Sequence, residues 1–83
     1  MRLAKFVKFR EEKFGGVLFE TRSEKVYTLT PTAAAVVQEI SAGCPPGDIA
    51  PRLAQRFDDR DGAIVRDVEA FLAELRAKGL VEG

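Results

Sequence analysis

Along the first thirty residues, apolar and polar positions alternate with a period close to two, which is typical of half-buried β-strands. The alternation runs over residues 3–10, resumes at residues 17–21, and returns in Lys25–Leu29. The sequence EEKFGG and a short polar stretch separate the three segments, as expected of turns. The pattern therefore predicts three short antiparallel strands joined as a meander.

After this region the apolar positions recur every three to four residues, which is the period of an α-helix. Thr30 is a suitable N-cap for the first helix, and Pro31 suits its first position because a proline there loses no helical hydrogen bond. Gly43 is placed to end the helix in the left-handed conformation. We therefore expect a first helix of about 11 residues.

A second helix is expected between Pro46 and Phe57, and its start is open. Proline lacks a backbone N–H, so Pro51 is tolerated only near a helix N-terminus. The helix therefore begins either near Asp48, with Pro51 in its first turn, or at Pro51 itself.

The third helix has the clearest pattern, because its apolar positions form one stripe about 120° wide and thus predict a buried face. Asp67 and Glu74 flank the stripe on one edge, and Glu69 and Arg76 flank it on the other. Gly79 is placed to end this helix of about 16 residues. The stripe consists of Ile64, Val65, Val68, Phe71, Leu72 and Leu75.

Strands followed by helices predict an α+β fold, with a three-stranded antiparallel meander ahead of three helices. The chain has 83 residues, of which 46% are hydrophobic and 31% charged, so residues 1–83 are expected to form one domain around one core. No apolar run is long enough to span a membrane. After Arg2 and Lys5, the charges of Lys8 and Arg10 interrupt the N-terminus before an apolar segment can build up, which argues against a secretory signal. Because one cysteine also cannot form an internal disulfide, we expect the cytoplasm.

The inventory of reactive residues argues against an enzyme. The chain has no histidine and one cysteine, so it lacks the usual general base and a zinc ligand set. Cys44 has no second cysteine or histidine to activate it, which favours an unreactive loop residue, either near solvent or packed. Asp58, Asp59 and Asp61 lack the glycine and distal glutamate of a calcium loop, so we interpret them as caps of the third helix. Neither a metal nor a cofactor is expected.

Charge also argues against nucleic acid as the partner. The order of helices suits a DNA-binding helix-turn-helix, which places its last helix in the major groove. However, residues 31–83 carry six basic and nine acidic groups, whereas duplex binding depends on neutralising phosphates. A winged-helix DNA-binding module therefore remains only the alternative function.

The strand Lys25–Leu29 offers a different function if it lies at the edge of the sheet. An edge strand has unpaired N–H and C=O groups, to which a peptide can add as a further strand. The same exposed edge would also allow two copies of the chain to pair as a homodimer. A merely solvated edge explains the pattern equally well, so the residues alone leave this choice open.

From residue 27 onward the chain resembles the PqqD family, small peptide chaperones that are also called RiPP recognition elements. The resemblance covers about 55 of 83 residues and includes YTLTPTAA at residues 27–34 and GLV at residues 79–81. The segment REEKFG at residues 10–15 is similar to members that serve radical-SAM peptide maturases, including mycofactocin-type chaperones. The remaining matching residues are Gly43, Ile49, Ala50, Leu53, Asp67, Val68, Phe71, Leu72 and Leu75.

The resemblance implies a winged-helix-like fold that binds the leader of a ribosomally made precursor peptide by strand addition and presents it to a radical-SAM enzyme. Any iron–sulfur cluster and S-adenosylmethionine would belong to that enzyme. Val26, Thr28, Val65 and Asp67 are the residues most expected to face the peptide, whereas Phe71 suits the core equally well. Position by position, the resemblance implies a peptide-binding site that consists of Lys25, Val26, Tyr27, Thr28, Ile64, Val65, Asp67, Val68 and Phe71.

Overall fold

The chain folds as three antiparallel strands followed by three helices, with a second, very small sheet beside them. A computed structural model describes residues 1–57 and 61–83. The predicted α+β class is confirmed, and the larger sheet has the order β2-β3-β4. In chain order the elements are β1 Arg2–Leu3, β2 Val7–Glu12, β3 Gly15–Glu20, β4 Lys25–Leu29, α1 Pro31–Ser41, α2 Pro46–Arg56, α3 Ala63–Ala77 and β5 Val81–Glu82.

The first predicted strand is divided in two, which corrects the single strand expected over residues 3–10. A turn follows Ala4, whose carbonyl accepts a hydrogen bond from the N–H of Val7 at 3.0 Å. Before the turn, β1 pairs with β5 rather than with the larger sheet. The N–H of Ala4 continues this pairing by donating to the carbonyl of Leu80 at 2.9 Å. The larger sheet therefore begins only at Val7.

The turn between β2 and β3 also differs from expectation, because the two glycines lie in β3 and not in the turn. Glu12 pairs with Gly15, so only two residues connect the strands. Gly15 has φ 141° and lies so close to the end of β4 that a Cβ would be 2.2 Å from the carbonyl oxygen of Leu29. The glycine is thus required by a close backbone approach.

Helix α1 is the centre of the fold and lies on the inner face of the larger sheet. Phe9, Leu18 and Tyr27 are in register on that face and pack in or against the core. The helix approaches closely, since a Cβ on Gly16 would be 3.3 Å from the Cβ of Ala34. Its buried residues surround most of its circumference and comprise Ala34, Ala35, Val36, Val37, Glu39 and Ile40.

The ends of α1 and α3 are where local sequence predicts them. The hydroxyl of Thr30 accepts a hydrogen bond from the N–H of Ala33 at 3.2 Å, which confirms the N-cap. Gly43 follows α1 with φ 86°, and Gly79 follows α3 with φ 69°. After Gly79, the N–H of Leu80 donates to the carbonyl of Leu75 at 3.0 Å and satisfies a terminal carbonyl.

The start of α3 rests partly on the acidic cluster. Asp61 accepts a hydrogen bond at Oδ1 from the N–H of Ala63, the first residue of α3, at 3.0 Å. The N-cap position itself is occupied by Gly62, which makes no side-chain cap bond, so Asp61 supports the helix start from one residue before the predicted cap. The corresponding predictions for Asp58 and Asp59 lie outside the described residues.

Helix α2 begins at Pro46, earlier than either start considered from the sequence. Pro51 therefore lies inside the helix and leaves the carbonyl of Gly47 without its usual donor. Gly47 is exposed, so water can replace that donor. The buried side chains of Ile49 and Leu53 hold the helix against the core, which offsets the lost bond.

A buried carboxylate further ties α2 to α1. Glu39 lies 3.0 Å from Nε of Arg52 and 3.6 Å from Nη1 of Arg56. The contact with Arg52 is mainly ionic, because Oε2 of Glu39 receives no directed hydrogen bond from the described residues. Two cations thus offset the cost of burying one carboxylate.

Candidate functional site

Strand β4 is an edge strand, as its position after two paired strands suggested. It pairs with β3 on one side, and no other strand of the described chain pairs with its second side. Val26 lies on the outer face of the sheet opposite Phe19, and 60% of its surface is exposed. Tyr27 and Leu29 point to the inner face and contribute to the core. The free edge thus carries unsatisfied main-chain groups that can hydrogen-bond another chain.

A groove runs beside this edge between β4 and α3. It consists of two adjoining hollows of about 550 and 130 Å³, which share Thr28, Leu29, Phe71 and Glu74. The larger hollow extends to Thr30, Thr32, Ala33, Val36, Asp67, Val68 and Ala70. The smaller hollow extends to Leu18, Tyr27, Leu75, Lys78 and Leu80.

The floor of the groove is apolar and its rim is polar. Leu29, Val36 and Val68 are buried beneath the larger hollow. Phe71 is only half-buried and lines both hollows, so part of its ring remains available for contact. Such a half-exposed aromatic ring over an apolar floor can receive an apolar side chain.

The structure brings some of the predicted site residues together and separates others. Thr28, Asp67, Val68 and Phe71 line the larger hollow, and Tyr27 lines the smaller one. Lys25 and Val26 are exposed on β4 beyond the groove itself.

Val65 lies on another side of α3. It lines a separate hollow of about 480 Å³ between α2 and α3, together with Glu69 and Arg76. Ile64 is half-buried and packs against the core. Neither residue lines the groove beside β4.

Sequence reasoning missed four groove residues that deserve weight. Leu29 and Ala33 were assigned only to a strand and a helix, because nothing local shows that α3 comes near them. Glu74 was placed only at the edge of the α3 stripe, and its partner Lys78, 3.1 Å away, was not connected with a site. Glu74 lies on the same edge of the α3 stripe as Asp67, which was already a predicted site residue. This shared edge could have identified Glu74 as a groove residue.

The charged residues of the groove differ between its two ends. At one end, Lys78 pairs with Glu74 at 3.1 Å, and its Nζ lies 5.9 Å from the centre of the Tyr27 ring. At the other end, Asp67 is exposed and pairs with none of the residues that the structure describes. The groove therefore has one neutralised end and one acidic end.

Cys44 lies outside the groove and is buried, so it has the packed one of the two placements left open by the sequence. Burial raises the pKa of its thiol, the charge of Arg52 opposes this shift, and Glu39 adds to it. Within residues 1–57 and 61–83, no group of three acidic or cysteine side chains is placed to hold a metal ion.

We expect Cys44 to react slowly with a thiol reagent such as iodoacetamide near neutral pH. A raised pKa means that less of the reactive thiolate exists at a given pH than in a free cysteine, and burial restricts access. The alkylation rate, followed by mass spectrometry, should rise only at a pH above the range in which a free cysteine ionises. Unfolding the protein in urea should raise the rate much further, because it exposes the thiol. Equal rates in native and urea-treated protein would contradict the buried position.

Comparisons with known proteins agree with this architecture. Residues 15–81 match the family described as "Coenzyme PQQ synthesis protein D (PqqD)". No curated protein sequence matches the chain. In the described part of the chain, no helix has the length and apolar character needed to cross a membrane.

Two solved structures share the fold. One is described as "Lasso peptide synthetase B1 complexed with the leader peptide"; it is 28% identical, with a TM-score of 0.80, and the match covers 99% of this chain and 96% of that one. The other is described as "TbiB1 in Complex with the TbiA(beta) Leader Peptide"; it is 20% identical, with a TM-score of 0.84, over 100% and 96% of the two chains. The family assignment supports the prediction that this chain is not itself an enzyme. Since the match extends from β3 to β5 and includes the whole groove, the chain belongs to the PqqD family.

Proposed function

We propose that this domain binds the leader segment of a ribosomally made precursor peptide and presents it to a modifying enzyme. The observation that carries the proposal is the free edge of β4 beside an apolar groove. An added strand can satisfy its own main chain on β4 while its side chains enter the groove.

The two faces of the sheet give such a strand two different environments. Because side chains alternate along a strand, every second residue of the peptide would face α3 and approach Phe71. The residues between them would lie on the outer face, next to Val26. Main-chain bonds would supply affinity for many sequences, and the groove would select among them.

The solved neighbours support this assignment of the ligand. Both are described as complexes with a leader peptide, and one of them is 28% identical to this chain over nearly its full length. Burying one short segment makes a small interface, so we expect moderate affinity and reversible binding.

We further propose that the modifying enzyme is a radical-SAM protein, on the resemblance of residues 10–15 to chaperones that serve such enzymes. The iron–sulfur cluster and S-adenosylmethionine would then lie on that protein. This domain would act by raising the local concentration of the precursor at the enzyme.

DNA binding, the alternative considered from the sequence, has no comparable support. The exposed charges of α3 are acidic in balance, which is unfavourable for contact with the phosphates of a duplex. They are Arg66, Asp67, Glu69, Glu74 and Arg76.

The proposal is tested in two steps. The reading frames next to this gene are searched for a short peptide, and that peptide is titrated into the purified domain by calorimetry. We expect binding by the whole peptide and by its leader alone, and none by the peptide without its leader. Amide shifts in the NMR spectrum should concentrate on Lys25–Leu29 and on α3. Leader binding with shifts confined to other elements would contradict the groove.

Single proline substitutions along the leader test strand addition directly, and they leave the domain unchanged. In an added strand every second N–H donates to β4, so proline at those positions removes a bond and leaves a carbonyl unpaired. We expect a loss of about tenfold in affinity at alternate positions of the pairing segment and a smaller loss between them. Losses without a two-residue period would rule out a paired strand.

A further inference from the structure

The groove contains one carboxylate, that of Asp67, for which the described residues supply no counter-charge. Of the two acidic residues that line the larger hollow, Glu74 is neutralised by Lys78 at 3.1 Å. Asp67 pairs with no residue in the described part of the chain. The uncharged residues Thr30, Thr32 and Ala70 line the same hollow.

A ligand that fills this hollow would change the surroundings of Asp67. In the free domain, water solvates this exposed carboxylate. A peptide lying over the apolar floor would remove part of that water, and an unpaired charge is costly to desolvate. A cation on the peptide would offset that cost, whereas a neutral or acidic side chain would not.

The geometry also fixes where that cation should stand in the peptide. Strand β4 and helix α3 run in opposite directions along the groove. Thr30 and Thr32, which follow the strand, line the same hollow as Asp67 near the start of the helix. Tyr27, within the strand, lines the same hollow as Lys78 at the end of the helix. Asp67 and Phe71 are four residues apart on the helix, which corresponds to about 6 Å. Two residues of an extended strand cover about the same distance and place both side chains on one face.

We propose that the groove selects leader segments with a lysine or arginine two positions from a large apolar residue. The apolar side chain contacts Phe71, the cation pairs with Asp67, and Asp67 is the specificity-determining residue. This inference rests on the proposed function and adds the class of peptide that the site accepts.

The test is a selection from a displayed library of random 16-residue peptides on the immobilised domain. Peptides from wild-type protein should be enriched in Lys or Arg two positions from a large apolar residue. With Asp67→Lys, the selected position should change to Asp or Glu. Glu69→Lys is the matched control, because it makes the same change in net charge outside the groove and should leave the wild-type preference intact.

The affinity of one selected peptide is then measured in a charge-reversal cycle, in which the charge is reversed on the peptide, on the domain, or on both. Changing its basic residue to glutamate should weaken binding to the wild-type domain by about tenfold, and Asp67→Lys should restore it. A purely structural role of Asp67 would instead lower thermal stability and weaken all peptides equally, which thermal unfolding of Asp67→Asn would show.

The outcomes separate the inference from the function on which it rests. Peptides that shift the resonances of β4 and α3 without any basic preference overturn the role of Asp67 and leave peptide binding intact. Selection of the same peptides by wild type and by Asp67→Lys would also overturn the role of Asp67 and leave peptide binding intact. A library that yields no peptide bound in the groove overturns both.

Discussion

Replacing Gly15 with alanine is expected to lower the free energy of unfolding by about 3 kcal/mol or more. The new Cβ would lie 2.2 Å from the carbonyl oxygen of Leu29 and 2.6 Å from the carbonyl carbon of Thr30. Both are backbone atoms, so no side-chain rotation can relieve the contact. The φ of 141° adds strain. A fold of this size is stable by on the order of 4–12 kcal/mol, so the variant should lose a large share of its stability.

Alanine substitutions at two other glycines distinguish the effect of the steric contact on stability from the effect of the backbone conformation. Gly43 also has a positive φ of 86°, but a Cβ there meets no atom within 4 Å, so Gly43→Ala should cost only about 1 kcal/mol. Gly47 is in open space without a positive φ, and Gly47→Ala should change stability by about 0.5 kcal/mol or less. Urea unfolding followed by circular dichroism ranks the three variants. Equal losses for Gly15→Ala and Gly43→Ala would show that the close approach to Leu29 is not the cause.

The elements predicted best are those whose limits depend on neighbouring residues. Thr30 caps α1 and Gly79 ends α3 because each acts on backbone groups within a few positions of itself. Strand β4 has the predicted bounds, since Lys25–Leu29 is rich in β-branched and aromatic residues between polar neighbours. Local chemistry was sufficient for these features.

The features that were missed depend on contacts between distant parts of the chain. The pairing of β1 with β5 involves two residues on each side, too few to show any period. Pro51 lies inside α2 because buried Ile49 and Leu53 hold that helix in place, and propensity alone does not show this. Gly15 indicates a turn in sequence, whereas its actual role is a close approach to Leu29.

The site was predicted in part for the same reason. The apolar stripe of α3 identified the residues that face the protein, but it could not show which neighbour each one faces. Helix α3 packs against α2 on one side and borders the groove beside β4 on the other. Val65 faces the first and Phe71 the second. Periodicity gives a direction around a helix axis, whereas the partner in that direction is set by tertiary structure.

The exchange Phe71→Ala is expected to weaken leader binding by about 30-fold, equivalent to about 2 kcal/mol. Phe71 lines both hollows of the groove and is half-buried, so a bound side chain in either hollow can reach the exposed part of its ring. Aromatic residues in such positions commonly dominate the energy of an interface. The affinity is measured by calorimetric titration of the leader at a temperature where thermal unfolding shows the variant to be folded.

Val65→Ala is the matched comparison on the same helix. Val65 is also half-buried and apolar, so its truncation should cost stability by about 1 kcal/mol, but it lines the hollow facing α2. Its effect on leader affinity should therefore be less than about twofold. A loss at Val65 as large as that at Phe71 would place the peptide across both sides of α3, as the sequence pattern alone allowed. A loss at Phe71 alone would confine the peptide to the groove beside β4.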